Sequence, residues 1–166
     1  MLTASELPAM RSSQLDDLFA AAPAGSIPTG VGRGQALIAT GTVAARPLVA
    51  LVRMLAWRGK QFDAQGRTLR NIVSPFALNA IKAEVYLDAS RLDGNPCIVL
   101  DYSKTSSVAR WIRDEIREVS PGLYLGVVFV RSRRAPLHFA LRFDIARDRL
   151  HTEGLTEAVS PASSRG

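Results

Sequence analysis

The residues best suited to chemistry are Asp101 and Tyr102, which follow the apolar run of residues 97–100. A strand built from that run would deliver a carboxylate and a phenol to the edge of a sheet, where pockets often open. Burial disfavours the charged form of Asp101, whereas a nearby cation such as Arg113 or Arg142 favours it. Either form can act as a general acid or base. The structural alternative, an ion pair that pins a helix to the sheet, is favoured here because structural pairs also perturb pKa values.

A second group of candidates surrounds Trp57, which is followed by Arg58 and Lys60. We predict that Trp57 ends a helix, where its ring would line the mouth of a pocket and the cations would meet an anionic head group. In the alternative interpretation, Trp57 closes the core and the two cations extend to water. The alternative is again the simpler one.

The remaining reactive residue types give no recognisable site. Cys97 is the single cysteine, so it forms no internal disulfide or Cys-based zinc cage, and its apolar neighbours predict a small buried side chain. His138 and His151 lack the close spacing of a helical metal site. The glycine-rich segment 30–34 opens a predicted strand, whereas a dinucleotide fingerprint follows a strand and opens a helix. We therefore predict no metal site and no cofactor.

The net charge of +6 arises from 18 arginines and 3 lysines against 15 acidic residues. Such an arginine bias is typical of a GC-rich bacterial genome. The cations are dispersed apart from one short cluster at Arg131, Arg133 and Arg134, whereas a nucleic-acid footprint concentrates on one face. We therefore predict no strong nucleic-acid binding.

Targeting signals are not evident in the sequence. The N-terminal residues show no basic segment followed by an apolar stretch. The most apolar stretch, residues 47–57, is interrupted by Arg53 and is shorter than the roughly 20 residues that a membrane span needs. We expect a cytoplasmic protein that is not an integral membrane protein, and the oligomeric state stays open.

The elements that must position these residues follow from periodicity and turn chemistry. Ser12 and Ser13 are natural caps for a first helix, a second is predicted over residues 47–57, and a third over residues 107–120 with Trp111 and Ile116 on its apolar stripe. About seven strands are predicted, at residues 35–42, 60–64, 68–73, 81–88, 97–102, 123–130 and 136–144. The pattern indicates an α+β fold: a strongly curved antiparallel sheet or a partly closed barrel with about three helices. We place it in one domain, residues 1–151, followed by a flexible tail, residues 152–166.

Residues 60–131 resemble the lipocalin-like (calycin) proteins, nearest the plastid lipid-associated group. The similarity consists of a meander of strands, the acidic-basic segment 113–117 and a glycine-containing strand over residues 124–129. The short Gly-x-Trp signature common near the start of lipocalins is absent. The resemblance implies a barrel that holds an apolar ligand, and it transfers no catalytic residue.

Three functional hypotheses follow. The first is binding of a small hydrophobic or amphipathic molecule in the barrel. The second is a cofactor-independent isomerase, cyclase or lyase that uses Asp101 or Tyr102 in the same pocket. The third is a basic RNA- or partner-binding module at Arg131, Arg133 and Arg134, weakened by the lack of interleaved aromatic residues. The candidate ligand-binding residues are Trp57, Tyr86, Asp101, Tyr102, Arg113 and Tyr124.

Overall fold

The structure is a computed structural model that describes residues 1–38, 57–63, 65, 67–73, 81–107 and 109–144. These residues form a closed barrel of eight antiparallel strands, in which each strand pairs with the next and the last pairs with the first. The strands are β1 (Gly30–Ile38), β2 (Trp57–Phe62), β3 (Thr68–Val73), β4 (Lys82–Ala89), β5 (Pro96–Asp101), β6 (Ile112–Ser120), β7 (Leu123–Val130) and β8 (Arg133–Arg142). One α-helix, α1 (Ser12–Ala21), and a single 3₁₀ turn (Leu7–Ala9) precede them. The predicted antiparallel sheet is confirmed.

Short turns make neighbouring strands antiparallel, because a tight hairpin leaves no room for a crossover. At the β2–β3 turn, Asp63 accepts hydrogen bonds from the Arg67 amide and the Thr68 hydroxyl, both at 2.9 Å. The β7–β8 turn consists of Arg131 and Ser132, whose φ angles of 49° and 68° are both positive. That backbone geometry matches the twist of a two-residue hairpin.

The prediction of a helix over residues 107–120 was wrong, because residues 112–120 form strand β6. Ile112 and Ile116 are four positions apart, a spacing that places two side chains on one face of a helix and equally on one face of a strand. Trp111, predicted to pack on the sheet, is 38% exposed in the turn before β6.

The expected number of about three helices was also wrong for the described residues, which contain α1 as their one α-helix. Most of the helix predicted over residues 47–57 lies outside the described residues. Its last residue, Trp57, instead begins β2 and pairs with Val73. The predicted tail, residues 152–166, also lies outside them.

The barrel wall carries apolar side chains on both faces. The inner cluster includes Leu100, Ile116 and Phe139, whereas the outer cluster includes Phe19 of α1 together with Val127 of β7. Because α1 covers the outside of β7 and β8, these strands lack the polar alternation of a half-solvated sheet. β7 is accordingly buried at seven of its eight positions.

The segment before β1 closes one end of the barrel. The Tyr124 hydroxyl donates to the Ser26 carbonyl oxygen at 2.7 Å, and Ile27 packs against the inner cluster. The Phe143 ring meets the rings of Phe62 and Tyr124 edge to face, each with centroids 5.6 Å apart. The turn between β5 and β6 lies at the opposite end.

Candidate functional site

Four polar side chains meet inside the barrel and are called the interior polar cluster: Lys60, Asn71, Tyr102 and Asp114. Lys60 of β2 and Asn71 of β3 are direct register partners, so their side chains project from the same face of the sheet. Tyr102 directly follows β5, and Asp114 lies in β6 between Ile112 and Ile116, which both belong to the inner apolar cluster. Each of the four residues is at most 3% exposed.

The centre of the cluster is the ammonium group of Lys60. Its Nζ donates to Asp114 Oδ2 at 2.9 Å, to Asn71 Oδ1 at 3.1 Å and to the Tyr102 hydroxyl oxygen. The Tyr102 hydroxyl lies 3.2 Å from the same Asp114 Oδ2, to which it donates. Lys60 Nζ also lies 5.4 Å from the centroid of the Phe139 ring. The cation is therefore held by an anion, two neutral oxygens and an aromatic face.

Burial controls the protonation of this cluster. Removal from water lowers the pKa of Lys60, and the charge and hydrogen bond of Asp114 oppose that effect. Burial also raises the pKa of Tyr102 well above its usual value, and the Asp114 carboxylate adds to the rise. Tyr102 is therefore a neutral phenol near neutral pH, and its proton is available as a hydrogen-bond donor.

One atom of the cluster lacks a partner. Asp114 Oδ1 is buried, and no hydrogen-bond donor reaches it from the described part of the chain. Its sister oxygen, Oδ2, accepts from both Lys60 and Tyr102. An ionised carboxylate can accept several hydrogen bonds through its two oxygens. One of the two acceptor oxygens of Asp114 is therefore left unused inside the barrel.

Two of the predicted ligand-binding residues face the barrel interior. Tyr102 belongs to the interior polar cluster, and the Tyr124 ring belongs to the inner apolar cluster while its hydroxyl is bonded to Ser26. Burial raises the pKa of Tyr124 above its usual range. For Trp57, the structure places the backbone at the start of β2 and does not describe the side chain.

The other three predicted residues lie together on the outer face. The Tyr86 hydroxyl donates to Asp101 Oδ2 at 3.0 Å, and Arg113 is the register partner of Asp101. Although burial acts to raise the pKa of Asp101, hydrogen bonds from Ser103 and Tyr86 and the charge of Arg113 outweigh it and lower that pKa. The structure thus separates Asp101 from Tyr102: Asp101 bonds to Tyr86 on the outer face, whereas the next residue, Tyr102, belongs to the inner cluster.

Asn71 and Asp114 were missed by the sequence analysis, which named Lys60 only beside Trp57, at the mouth of a pocket. Asp114 lies in residues 107–120, where a helix was predicted and strand β6 was found, and the simpler interpretation of Lys60 placed its charge in water. The available signal was a period of two: Lys60 shares its face with Phe62, as Asn71 does with Leu69. A polar residue at an apolar position of a strand is the pattern of a buried polar group.

Charged residues on the outer face are structural. Arg117 is fully buried, pairs with both carboxylate oxygens of Asp93 at 2.7 Å, and donates to the Phe19 carbonyl oxygen at 3.0 Å. It therefore ties α1 and the β4–β5 turn to β6. Glu115 has no exposed surface and accepts from the Ser90 hydroxyl at 2.6 Å.

The predicted basic cluster is divided by the fold. Arg134 donates to Asp16 Oδ1 at 2.7 Å, and His138 Nε2 lies 2.7 Å from the same oxygen, so both residues anchor α1 to β8. Arg131 and Arg133 are exposed, and the Arg131 guanidinium lies 5.9 Å from the centroid of the Trp111 ring.

A cleft of about 240 Å³ lies beside the β2–β3 hairpin, lined by Gln61, Phe62, Asp63, Thr68, Leu69 and Arg70. It contains no member of the interior polar cluster and none of the predicted ligand-binding residues. Within the described ranges, no three His, Cys, Asp or Glu side chains are grouped to hold a metal ion. No helix in the same ranges has the length and apolar character to cross a membrane.

Comparison with known proteins supports the fold. No protein-family model matches the sequence, and no curated protein matches it. Among solved structures, a protein from Thermomonospora curvata is similar to this chain, with a TM-score of 0.62 at 16% sequence identity. The similarity covers 85% of this chain and 95% of that one. At this identity the likeness shows the fold alone, and the chain is similar in its barrel architecture to that protein.

Proposed function

We propose that this protein binds a small amphipathic molecule inside its barrel, in the manner of lipocalin-like proteins. Closed antiparallel barrels of about eight strands are wide enough to be filled by side chains or to hold one small ligand. The proposed apolar part of the ligand contacts the inner wall, which includes Leu100, Ile116, Val128 and Phe139. Its polar end lies at the interior polar cluster.

The observation that carries this proposal is the unpartnered Asp114 Oδ1 in an otherwise apolar interior. A buried ion pair contributes little to stability, because desolvation of both charges offsets their attraction. An apolar barrel interior would therefore be as stable without Lys60 and Asp114. A small-molecule site typically orients its ligand with a small number of convergent polar groups set in apolar walls.

The test is native mass spectrometry of freshly purified protein, followed by titration of any released molecule back into emptied protein. We expect a co-purifying small molecule whose binding changes little between about 50 mM and 200 mM salt, since no phosphate contacts are involved. Asp114→Asn should weaken this binding, whereas the matched control Asp101→Asn makes the same change on the outer face and should leave binding unchanged. Protein that carries no adduct and binds no member of a panel of apolar alcohols, acids and esters would refute the proposal.

A second candidate function is cofactor-independent catalysis by proton transfer at the same cluster. The open Asp114 Oδ1 beside the Tyr102 phenol favours it, because a carboxylate accepts a proton while a phenol stabilises developing negative charge. Incubation of the released molecule with protein in D₂O distinguishes the two functions. Catalysis would place deuterium on a carbon atom of the molecule or convert the molecule into another compound, and Asp114→Asn would abolish this reaction. A binding protein would return the molecule unchanged.

A further inference from the structure

The partners of Asp114 restrict the chemistry of the ligand. Asp114 Oδ2 already accepts from Lys60 at 2.9 Å and from Tyr102 at 3.2 Å, whereas Oδ1 receives no bond from the described residues. The Asp114 side chain is only 4% exposed, so bulk water does not solvate it. A buried acceptor left unsatisfied is costly, and the cost is greater for a charged group. A hydrogen-bond donor on a bound molecule would satisfy this open oxygen.

The charge of the cluster excludes an anionic ligand. Lys60 and Asp114 neutralise each other across 2.9 Å, so the ammonium charge is already matched. Asn71 Oδ1 and the Tyr102 hydroxyl oxygen accept further bonds from Lys60 Nζ. A carboxylate placed against Oδ1 would meet a like charge in a medium of low dielectric constant, and like charges repel strongly there.

We infer that the ligand carries a neutral hydrogen-bond donor, a hydroxyl or N–H group, at its polar end and that Asp114 Oδ1 accepts this hydrogen bond. The inference rests on the proposed binding function and specifies its ligand class. An apolar alcohol or amide fits, since one donor satisfies Oδ1 and the hydrocarbon remains among apolar side chains. A fatty acid anion or an ether lacks the donor and leaves Oδ1 unsatisfied.

The experiment compares three probes of matched length: decanol, the methyl ether of decanol, and decanoic acid. Their dissociation constants are measured by isothermal titration calorimetry near neutral pH, where the acid is ionised. We expect decanol to bind more tightly than its ether by roughly tenfold to a hundredfold, the value of a hydrogen bond to a charged group. Decanoate should bind more weakly than decanol by at least the same factor.

The variant Lys60→Met/Asp114→Leu removes both charges together and leaves no unpaired ion behind. In this variant the alcohol and the ether should bind with nearly equal affinity. Circular dichroism shows whether it folds, and if it does not, the preference among the three probes in the unaltered protein still decides the inference.

Four outcomes are informative. If no probe binds, the proposed function itself fails. If decanol and its ether bind equally well, the binding function stands and the inference is overturned, since an ordered water would then satisfy Oδ1. Tighter binding of decanoate than decanol would also overturn it. A folded double variant that still prefers the alcohol would show that another group receives the donor, and that too would overturn it.

Discussion

Asp114→Asn tests the electrostatic account of the interior polar cluster, because it removes the charge that balances Lys60 while it keeps nearly the same shape. Breaking a buried pair by neutralising one partner costs about 3–5 kcal/mol, since the other charge is left uncompensated. Lys60 is 1% exposed, so no solvent is available to stabilise its ammonium group. The folded variant therefore releases the lysine proton.

The cost of releasing this proton sets an upper limit on the destabilisation that Asp114→Asn causes. An ordinary lysine has a pKa of about 10.4, so deprotonation at about pH 7 costs roughly 4.6 kcal/mol, and at about pH 9 roughly 1.9 kcal/mol. The sign follows from linkage: in the variant, the unfolded chain binds more protons than the folded chain, so the free energy of unfolding rises with pH. The destabilisation relative to the unaltered protein should therefore shrink by as much as about 2.7 kcal/mol between these pH values.

The assay is urea denaturation followed by circular dichroism at both pH values. Asp101→Asn is the control: its side chain lies on the outer face and is only partly buried, so a cost of about 1 kcal/mol with no such pH dependence is expected. Lys60→Met/Asp114→Leu should recover most of the lost stability, since replacing a whole buried pair by apolar residues is often neutral. A large destabilisation by Asp114→Asn that does not change with pH would refute the reasoning, because Lys60 would then remain charged without a counterion.

Three further predictions concern the outer face. Arg117→Lys should lower the free energy of unfolding by about 3 kcal/mol or more in urea, because lysine cannot form the bidentate pair with Asp93; a loss below about 1 kcal/mol would contradict the anchoring role. Burial, with a smaller contribution from Arg134, lowers the pKa of His138, although Asp16 acts to raise it. The free energy of unfolding should therefore rise as the pH increases from about 5 to about 7, and His138→Gln should remove that rise. Burial raises the pKa of Cys97 to about 12, so the thiol should resist iodoacetamide at neutral pH until urea unfolds the protein, and rapid labelling of the native protein would contradict this.

Most of the sheet could be predicted from the sequence because local signals agree with the tertiary structure there. Strands β3 and β7 occur with the predicted boundaries, and β4 and β5 differ by one residue at each end. The turn before β5 is built from residue types that favour turns, and Asp93 accepts a hydrogen bond from the Asn95 amide at 3.0 Å. Alternation and turn chemistry are local properties, so a single sequence displays them.

Closure of the barrel could not be read from the sequence in the same way. It depends on the pairing of β1 with β8, in which Gly34, for example, pairs with Leu141, 107 positions further along the chain. No local sequence feature of either strand identifies the other strand as its partner. The same holds for the site, since Lys60 and Asp114 are 54 positions apart and meet only when the strands curve into a barrel.

Strand β6 explains why the fold and the site were missed together. Residues 107–120 were predicted to form a helix with an apolar stripe, yet the charged residues Asp114, Glu115 and Arg117 of β6 are all at most 3% exposed. On a strand, consecutive charges point to opposite faces, so Asp114 enters the barrel while Glu115 and Arg117 bind outer elements. Each outer charge is satisfied by named partners, whereas Asp114 keeps one oxygen open. The contrast within one strand is the strongest argument that Asp114 has a role beyond holding the fold together.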